Sequence, residues 1–314
     1  MINPAYDPAA VPAPVLDALP FHRSRPGYAP TPVRELRPGV FVKDESNRLG
    51  LPAFKILGAS WAAQCTLTDD VHTLVAASAG NHGRAVARVA AWRGLRCRVF
   101  LPARSVPARR EAIAAEGAEV VIVDGTYEDA VAAATVAASE PGVLELADVG
   151  ASEDAHRVID GYATLFDELE ESYDVIVVPV GVGSLAAAAA RYGAATGARV
   201  IGVEPDTAAC LTASLAAGEP VDVPTPGTVM AGLDCAEISL AAWPSLRAGI
   251  HSTVTVSDDD TRAAMRELAA AGMAIGESGA APLAALNKLH IDGRVLLIAT
   301  EGPTDPDGYR RAVA

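Results

Sequence analysis

The sequence predicts an α/β fold with two lobes, each a mostly parallel sheet flanked by helices, and a ligand-binding cleft between them. Short apolar runs rich in Val, Ile and Leu alternate along the chain with alanine-rich helical patterns. This alternation is typical of parallel sheets whose strands are joined by crossover helices. Loops of glycine and small residues follow two of the runs, at the strand ends where open α/β sheets bind their ligands.

Four of the apolar runs fall close together and predict a small four-stranded lobe. They cover residues 74–77, 97–101, 120–123 and 144–147. The larger lobe combines a strand near residues 41–43 with runs at 175–178, 200–203, 254–256 and 295–299. We therefore expect a small domain over residues 66–156 and a large domain formed by residues 1–65 and 157–314. The proline-rich first 38 residues are expected to wrap the surface, with His22 and Arg25 in solvent.

Composition limits the class of protein. The chain has 314 residues, 50% of them hydrophobic, which is enough for a large core or two lobes. Its formal net charge of −14 argues against a nucleic-acid surface. No apolar run reaches membrane-spanning length, and the first residues lack the basic-then-apolar order of a signal peptide. The four cysteines lack metal-site spacing. These features predict a cytoplasmic protein with no bound metal and with neither nucleic acid nor membrane as a partner.

Lys55 lies between Phe54 and Ile56, which is unusual for a surface lysine. Burial of an amine disfavours its charged form, and a neutral amine can attack an aldehyde to form a Schiff base. The alternative is a lysine whose stem packs while its head reaches water. For Lys55 alone this alternative would be preferred, so the chemical interpretation depends on the other motifs.

Ser78, Ala79, Gly80 and Asn81 form a small-residue loop between an apolar run and a helical pattern. Free backbone N–H groups and the helix dipole favour an anion at such a helix start. Ser78 and Asn81 add side chains that can hydrogen-bond a ligand. The loop is predicted to hold a carboxylate, although Asn81 could also serve as an ordinary helix cap.

A second loop between strand and helix contains Gly181, Val182, Gly183 and Ser184. Closely spaced glycines let backbone amides approach a phosphate. The loop lacks the third glycine of a dinucleotide fingerprint and the Gly-Lys-Ser/Thr of a Walker loop, so it is compatible with a phosphate site of another kind. Thr300 ends the last apolar run, either at the ligand-binding edge of the sheet or as a turn cap.

These motifs occur in one order: a lysine after phenylalanine, a Ser-x-Gly-Asn loop, a later glycine-rich loop and a last strand ending in Thr. In this combination the chain resembles the fold type II, or tryptophan-synthase-β-like, pyridoxal-phosphate-dependent enzymes. Within that family it resembles diaminopropionate ammonia-lyase at residues 42–46, 50–55, 79–84, 203–205, 230–233, 276–280 and 300–310. The resemblance covers residues 29–310 approximately. It implies a homodimer with pyridoxal 5'-phosphate in the cleft.

The resemblance implies a role for each motif. Lys55 would hold the cofactor as a Schiff base and then act as the base at the substrate Cα. Asn81 would hydrogen-bond the ring hydroxyl, and Thr300 would face the pyridine nitrogen. The cofactor phosphate would be cradled by Gly181, Val182, Gly183 and Ser184. The substrate carboxylate would be bound by Ser78, Ala79, Gly80 and Asn81.

Thr300 also bears on the type of reaction. A hydroxyl cannot keep the pyridine nitrogen protonated as a carboxylate can, so the ring is a weaker electron sink and loss of a β-leaving group is favoured. The expected reaction converts L-2,3-diaminopropionate, or a similar β-substituted L-alanine, to a 2-oxo acid and ammonia. The leaving group needs acid–base help, which the cofactor phosphate or Asp148 could supply. Asp148 matches an acidic position near the ammonia-lyase site, but it could also simply cap a strand end.

One departure from the ammonia-lyase pattern affects the expected substrate. An aspartate usually occupies the position of Ala79 and serves as a second base that lets the D-isomer react. Alanine cannot take a proton, so the chain is expected to act on L-substrates alone. The Ser78-to-His82 form of the loop also resembles serine/threonine dehydratases. A β-replacement synthase and a non-catalytic relative that binds an amino acid or the cofactor are the further alternatives.

Overall fold

Two separate sheets carry the strands of this computed structural model, which describes residues 1–78, 80–147 and 150–314. The strands are β1 (Val33–Arg37), β2 (Val40–Asp44), β3 (Thr73–Ala77), β4 (Arg96–Pro102), β5 (Glu119–Val123), β6 (Val143–Glu145), β7 (Val175–Pro179), β8 (Arg199–Pro205), β9 (Ile250–Val256) and β10 (Val295–Ala299). The large sheet has the order β1-β2-β10-β7-β8-β9 and the small sheet the order β5-β4-β3-β6.

Helices connect these strands and flank both sheets. They are α1 (Ala18–Arg23), α2 (Ile56–Thr66), α3 (Asn81–Arg93), α4 (Pro107–Ala115), α5 (Tyr127–Ala138), α6 (Glu153–Asp167), α7 (Ser184–Thr196), α8 (Cys210–Ala217), α9 (Trp243–Gly249), α10 (Asp258–Ala270), α11 (Glu277–Leu286) and α12 (Pro306–Val313). A short 3₁₀ turn covers Pro8–Ala10. Among the helices of the described ranges, none is both long enough and apolar enough to cross a bilayer.

The strand pairing confirms the predicted fold class. Every pair of neighbouring strands is parallel except β1 and β2, which are antiparallel. β1 was not predicted because it is an exposed edge strand of mainly charged residues, with no apolar pattern to reveal it. The run at 144–147 forms only the three-residue β6. The predicted limits of the two domains stay a prediction.

The central strands of the large sheet are buried on both faces, as parallel strands between helices must be. In β7, Ile176 and Val178 pack in the cluster that contains α2, α6 and α7, whereas Val175 and Val177 pack against α10 and α11. β10 divides its side chains between the two clusters in the same alternating way. Because successive side chains point to opposite faces, a continuous apolar run supplies both cores.

Four charged side chains form a buried network beneath the large sheet. Lys43 Nζ lies 2.7 Å from Glu168 Oε2, and the Arg48 guanidinium lies 2.6 Å from Glu45 Oε1 and 2.5 Å from Glu168 Oε1. All four side chains are at most 1% exposed. Two cations face two anions, so the network is electrically balanced without solvent.

The residue His22 is also buried, which shows that the expectation of a solvated His22 was wrong. Its Nδ1 lies 2.7 Å from Thr164 Oγ1, and its Nε2 lies 3.1 Å from the carbonyl oxygen of Leu57. The ring therefore donates from Nε2 and accepts at Nδ1. Burial lowers the pKa of His22 to about 4. α1 docks against α2 and α6, a long-range contact that the proline-rich sequence around it does not reveal.

We predict that Glu168→Gln lowers the free energy of unfolding by about 3–5 kcal/mol, because Lys43 and Arg48 lose the carboxylate that balances them in the interior. Urea unfolding followed by circular dichroism measures the change. Glu171→Gln is the control, since Glu171 pairs with Arg294 at the surface, and there the change should be small. Equal losses in the two variants would contradict a stabilising role of the buried network.

We predict that His22 contributes an acid-sensitive part of stability. With the folded pKa depressed to about 4 from 6.5, the unfolded chain takes up the proton first. Stability therefore falls as pH drops from 6.5 to 4, by about 3 kcal/mol in total from this group. Urea unfolding across this pH range should show a shallower slope for His22→Gln than for wild type. The exposed His290→Gln should keep the wild-type slope, and a wild-type slope in His22→Gln would refute the assignment.

Candidate active site

The segment that carries Lys55 is attached to the carboxyl end of β10. Residues 45–54 connect β2 to α2, and along this connection Glu45 N donates to Ala299 O at 2.9 Å and Phe54 N donates to Thr300 O at 3.3 Å. Ala53 forms an isolated bridge with Glu301. Lys55 stands at the N-terminal cap of α2, with Nζ 5.5 Å from the centre of the Phe54 ring. The residues just before Lys55 are therefore bound to Thr300 and Glu301 at the end of β10.

The chain has few lysines, so the surroundings of each can be compared. The sequence contains three lysines, at positions 43, 55 and 288. Lys43 forms a salt bridge with Glu168 in the buried network. Lys288 is half exposed and pairs with Asp260 at 2.5 Å on the surface. Lys55 differs from both in its position, since it follows residues bound to the end of β10.

Asn81 approaches the same place from the small sheet. It begins α3, and its Nδ2 donates to Glu301 Oε2 at 2.5 Å. Within the loop before it, Gly80 N donates to Ser78 Oγ at 3.3 Å. A Cβ at Gly83 would lie 2.2 Å from Ser78 O, so only glycine permits the tight approach of the first helical turn. Ala79 lies outside the described residues.

His82 joins the start of α3 to the end of the small sheet. Its Nε2 lies 2.7 Å from the carbonyl oxygen of Leu146, so the ring donates to the backbone there. The side chain is buried. Asp148, two residues beyond Leu146, lies outside the described residues.

The glycine loop occupies the end of β7, the strand next to β10. Gly183 has φ +94 and precedes α7, which begins at Ser184. A Cβ at Gly181 would lie 2.6 Å from Gly232 O, so the loop backbone is pressed against the segment that follows α8. Val182 O accepts from Ser239 N at 2.9 Å on the same side. α7 begins directly after this loop, and a helix N-terminus favours an anion.

Ser278 links the segment at Gly232 to the end of β10. Its backbone N donates to Glu301 Oε1 at 3.1 Å, and its Oγ accepts from Gly232 N at 3.2 Å. The sequence motifs gave Glu301 no role, and they left open whether Ser278 lies beside the cofactor or only caps a helix and whether Gly232 lies near the cofactor or at a dimer contact. The available signal was that each lies in a stretch that resembles the ammonia-lyase, and that Glu301 directly follows Thr300.

Charged residues line a cavity of about 240 Å³ beside Ser278. Arg109 from α4, Glu277 from α11 and Asp305 before α12 contribute to its walls. Burial raises the pKa of the Glu277 carboxyl, the nearby Glu301 adds to the increase, and Arg109 opposes it. Across residues 1–78, 80–147 and 150–314, no group of three His, Cys, Asp or Glu is arranged to hold a metal ion.

Comparison with known proteins places this geometry in a family. The family described as pyridoxal-phosphate dependent enzymes matches residues 24–301. Diaminopropionate ammonia-lyase of Salmonella typhimurium is 34% identical over 95% of this chain and 91% of that protein. The Escherichia coli K12 protein of the same name is 32% identical over 93% and 89%. The biosynthetic L-threonine dehydratase of Escherichia coli K12 is 32% identical over 79% of this chain but 49% of its own length.

Solved structures agree with these sequence matches. Escherichia coli diaminopropionate ammonia-lyase, in complex with an aminoacrylate-PLP azomethine reaction intermediate, superposes with a TM-score of 0.89 at 29% identity, covering 100% of this chain and 96% of that chain. The same enzyme in complex with D-serine gives 0.89 at 28% identity, with the same coverage. We conclude that this chain belongs to the family of pyridoxal-phosphate-dependent enzymes.

Proposed function

We propose that the chain is a lyase that eliminates ammonia from L-2,3-diaminopropionate or a similar β-substituted L-alanine, giving a 2-oxo acid and ammonia. The observation that carries the proposal is the meeting of Lys55, Asn81 and Thr300 around the carboxyl end of β10. Identity of 32–34% to diaminopropionate ammonia-lyases over more than nine-tenths of the chain supports the substrate class.

The residues present fit pyridoxal 5'-phosphate. When bound, this cofactor supplies the electron sink that allows bonds at the substrate Cα to break. Lys55 is the amine that would hold its aldehyde carbon. Gly181, Val182, Gly183 and Ser184 would hold its phosphate, since a Cβ at Gly181 would fill the narrow gap to Gly232 and the loop offers backbone amides instead of side chains.

Lys55 has a second task in the proposed reaction, which is to remove the proton from the substrate Cα. An amine beside the reacting carbon is suited to this transfer because it needs no further group to reach it. Thr300 is 4% exposed and would offer the ring nitrogen a hydroxyl, which cannot keep that nitrogen protonated as a carboxylate can. A weaker electron sink favours quick loss of the β-substituent over long-lived carbanions.

The substrate carboxylate is assigned to the loop of Ser78, Ala79, Gly80 and Asn81, whose helix start favours an anion. Asp148 is assigned to protonating the leaving amine, which must depart as ammonia. At position 79 alanine offers no group that could accept a proton from the opposite face of the substrate. We therefore propose that only the L-isomer reacts.

A second candidate function is an L-serine or L-threonine dehydratase. It is favoured by 32% identity to a biosynthetic threonine dehydratase over 79% of this chain, and by the Ser78-to-His82 form of the loop. A β-replacement synthase would need a binding site for its nucleophile, and the sequence motifs indicate none. We also propose that the protein is a homodimer and that it is cytoplasmic.

The direct test combines an absorbance scan with assays for ammonia and 2-oxo acid. We expect Lys55→Ala to abolish the visible band of bound pyridoxal phosphate, because the amine that would hold the cofactor is lost. Turnover should fall by about 10³-fold or more, because the group that would remove the Cα proton is lost as well. Lys288→Ala is the control, since it removes a surface lysine, and it should keep both.

The same assay separates the substrates. L-Diaminopropionate should release ammonia and 2-oxo acid, whereas the D-isomer should not. Faster turnover of L-serine or L-threonine would favour the dehydratase instead. Turnover of D-diaminopropionate would contradict the argument from Ala79, and a wild-type protein that forms no visible band would contradict the lyase proposal as a whole.

A separate prediction concerns the phosphate loop. Gly181→Ala should weaken cofactor binding by about tenfold, roughly 1.4 kcal/mol, because the new methyl group would meet Gly232 O and push the loop out of place. Titration of the cofactor-free protein with pyridoxal phosphate measures the affinity. Ala195→Ser, at the exposed far end of α7, should leave the affinity unchanged. Unaltered affinity in Gly181→Ala would exclude the loop as the phosphate site.

A further inference from the structure

Glu301 is a buried carboxylate to which the proposed reaction assigns no task. It is 6% exposed and follows Thr300 directly. Its Oε2 accepts from Asn81 Nδ2 at 2.5 Å, and its Oε1 accepts from Ser278 N at 3.1 Å. Its own backbone is held by the bridge to Ala53 and by a bond from Gly276 N to its carbonyl oxygen at 2.9 Å. Hydrogen bonds therefore hold both the side-chain carboxylate and the backbone of Glu301 in place.

The two donors that Glu301 accepts come from different parts of the molecule. Asn81 begins α3, which packs on the small sheet, whereas Ser278 lies in the first turn of α11 behind the large sheet. A single carboxylate can satisfy both because it offers two acceptor oxygens and no donor. Glu301 thus connects the two sheets at the point where Lys55 and Thr300 also lie.

The start of α11 is shaped to admit this carboxylate. A Cβ at Gly279 would lie 3.0 Å from Glu301 O and 3.1 Å from Glu301 N. At Gly276 a Cβ would lie 3.2 Å from Glu301 Cγ and 2.5 Å from Gly302 O. The two glycines that frame Glu277 and Ser278 therefore allow α11 to approach the end of β10, which accounts for this motif without a direct contact to a ligand.

The acceptor-only character of Glu301 also decides how the amide of Asn81 is turned. The two ends of an asparagine amide have nearly the same shape, so packing alone does not distinguish them. Opposite a carboxylate, however, the amide must present its NH₂ group. The second N–H of Nδ2 and the carbonyl oxygen Oδ1 are then left in defined directions on the side away from Glu301.

We propose that Glu301 is a positioning residue that fixes the amide orientation of Asn81 and thereby sets which group Asn81 offers to the ring hydroxyl of the cofactor. The inference rests on the proposed role of Asn81 in cofactor binding. A donor facing the ring oxygen favours its deprotonated form, and an acceptor favours the protonated form. Glu301 therefore tunes the protonation of the bound cofactor through Asn81 without touching it.

Glu301→Gln tests the inference with little change of shape. Glutamine can still accept from Ser278 N through its carbonyl oxygen, but its NH₂ group faces Asn81 and drives the amide to turn over. We expect the pH midpoint of the visible cofactor band, measured without substrate, to shift by about one unit or more. Turnover should fall by about 10- to 100-fold, with the largest effect on kcat.

Two further variants show whether the effect passes through Asn81. Introduced into Asn81→Ala, the Glu301→Gln change should cause little additional shift of the midpoint, because the amide that it reorients is gone. Glu277→Gln neutralises a neighbouring carboxyl that makes no bond to Asn81, and its midpoint should stay within about 0.3 units of wild type. If Glu301→Gln does not fold, Glu301→Ala, which removes the acceptor and lets the Asn81 amide turn, should give a smaller shift in the same direction.

An unchanged midpoint in Glu301→Gln would overturn the inference, as would an equal shift in the presence and absence of Asn81, which would indicate a purely structural role through Ser278. Both results would leave the lyase proposal intact, because wild type would still show the band and turnover. Absence of the band in wild type would overturn both the proposed function and this inference.

Discussion

The position of Lys55 depends on the buried network of Lys43, Glu45, Arg48 and Glu168. Glu45 and Arg48 belong to the connection between β2 and α2, and Glu168 caps the end of α6, the helix that packs along α2. An unpaired charge at this depth would cost several kcal/mol, so the connection is held to the path in which all four charges meet. That path runs along the end of β10 and delivers Lys55 beside Thr300.

Besides this charged network, the site contains hydrogen bonds that connect elements packed on the two sheets. The network below the large sheet balances full charges, whereas Glu301 accepts N–H groups from Asn81 and Ser278. Hydrogen bonds to a carboxylate are directional and cost less to rearrange than a desolvated ion pair. The contact at Glu301 can therefore change more easily than the charged network that supports the segment of Lys55.

The chemistry expected of the cleft follows from what its residues lack as much as from what they supply. In the proposed function, Thr300 would offer the ring nitrogen a hydroxyl in place of a carboxylate, and Ala79 would offer no base in place of the aspartate of the ammonia-lyase pattern. The first difference would favour elimination, and the second would limit the reaction to one stereoisomer. The similarity to ammonia-lyases and to threonine dehydratases is consistent with a common elimination chemistry on different β-substituents.

The sequence by itself determined the α/β class and the positions of most strands along the chain. It also determined the local motifs at Lys55, at Asn81 and at Gly181 to Ser184. Each of these features depends on residues that are neighbours in the sequence. The tertiary structure alone decided the partners that are far apart in the chain. Asn81 and Glu301 are 220 residues apart, and His22 and Thr164 are 142 apart. Such contacts have no period or spacing in the sequence, since only the packing of the two sheets and their helices brings the side chains together.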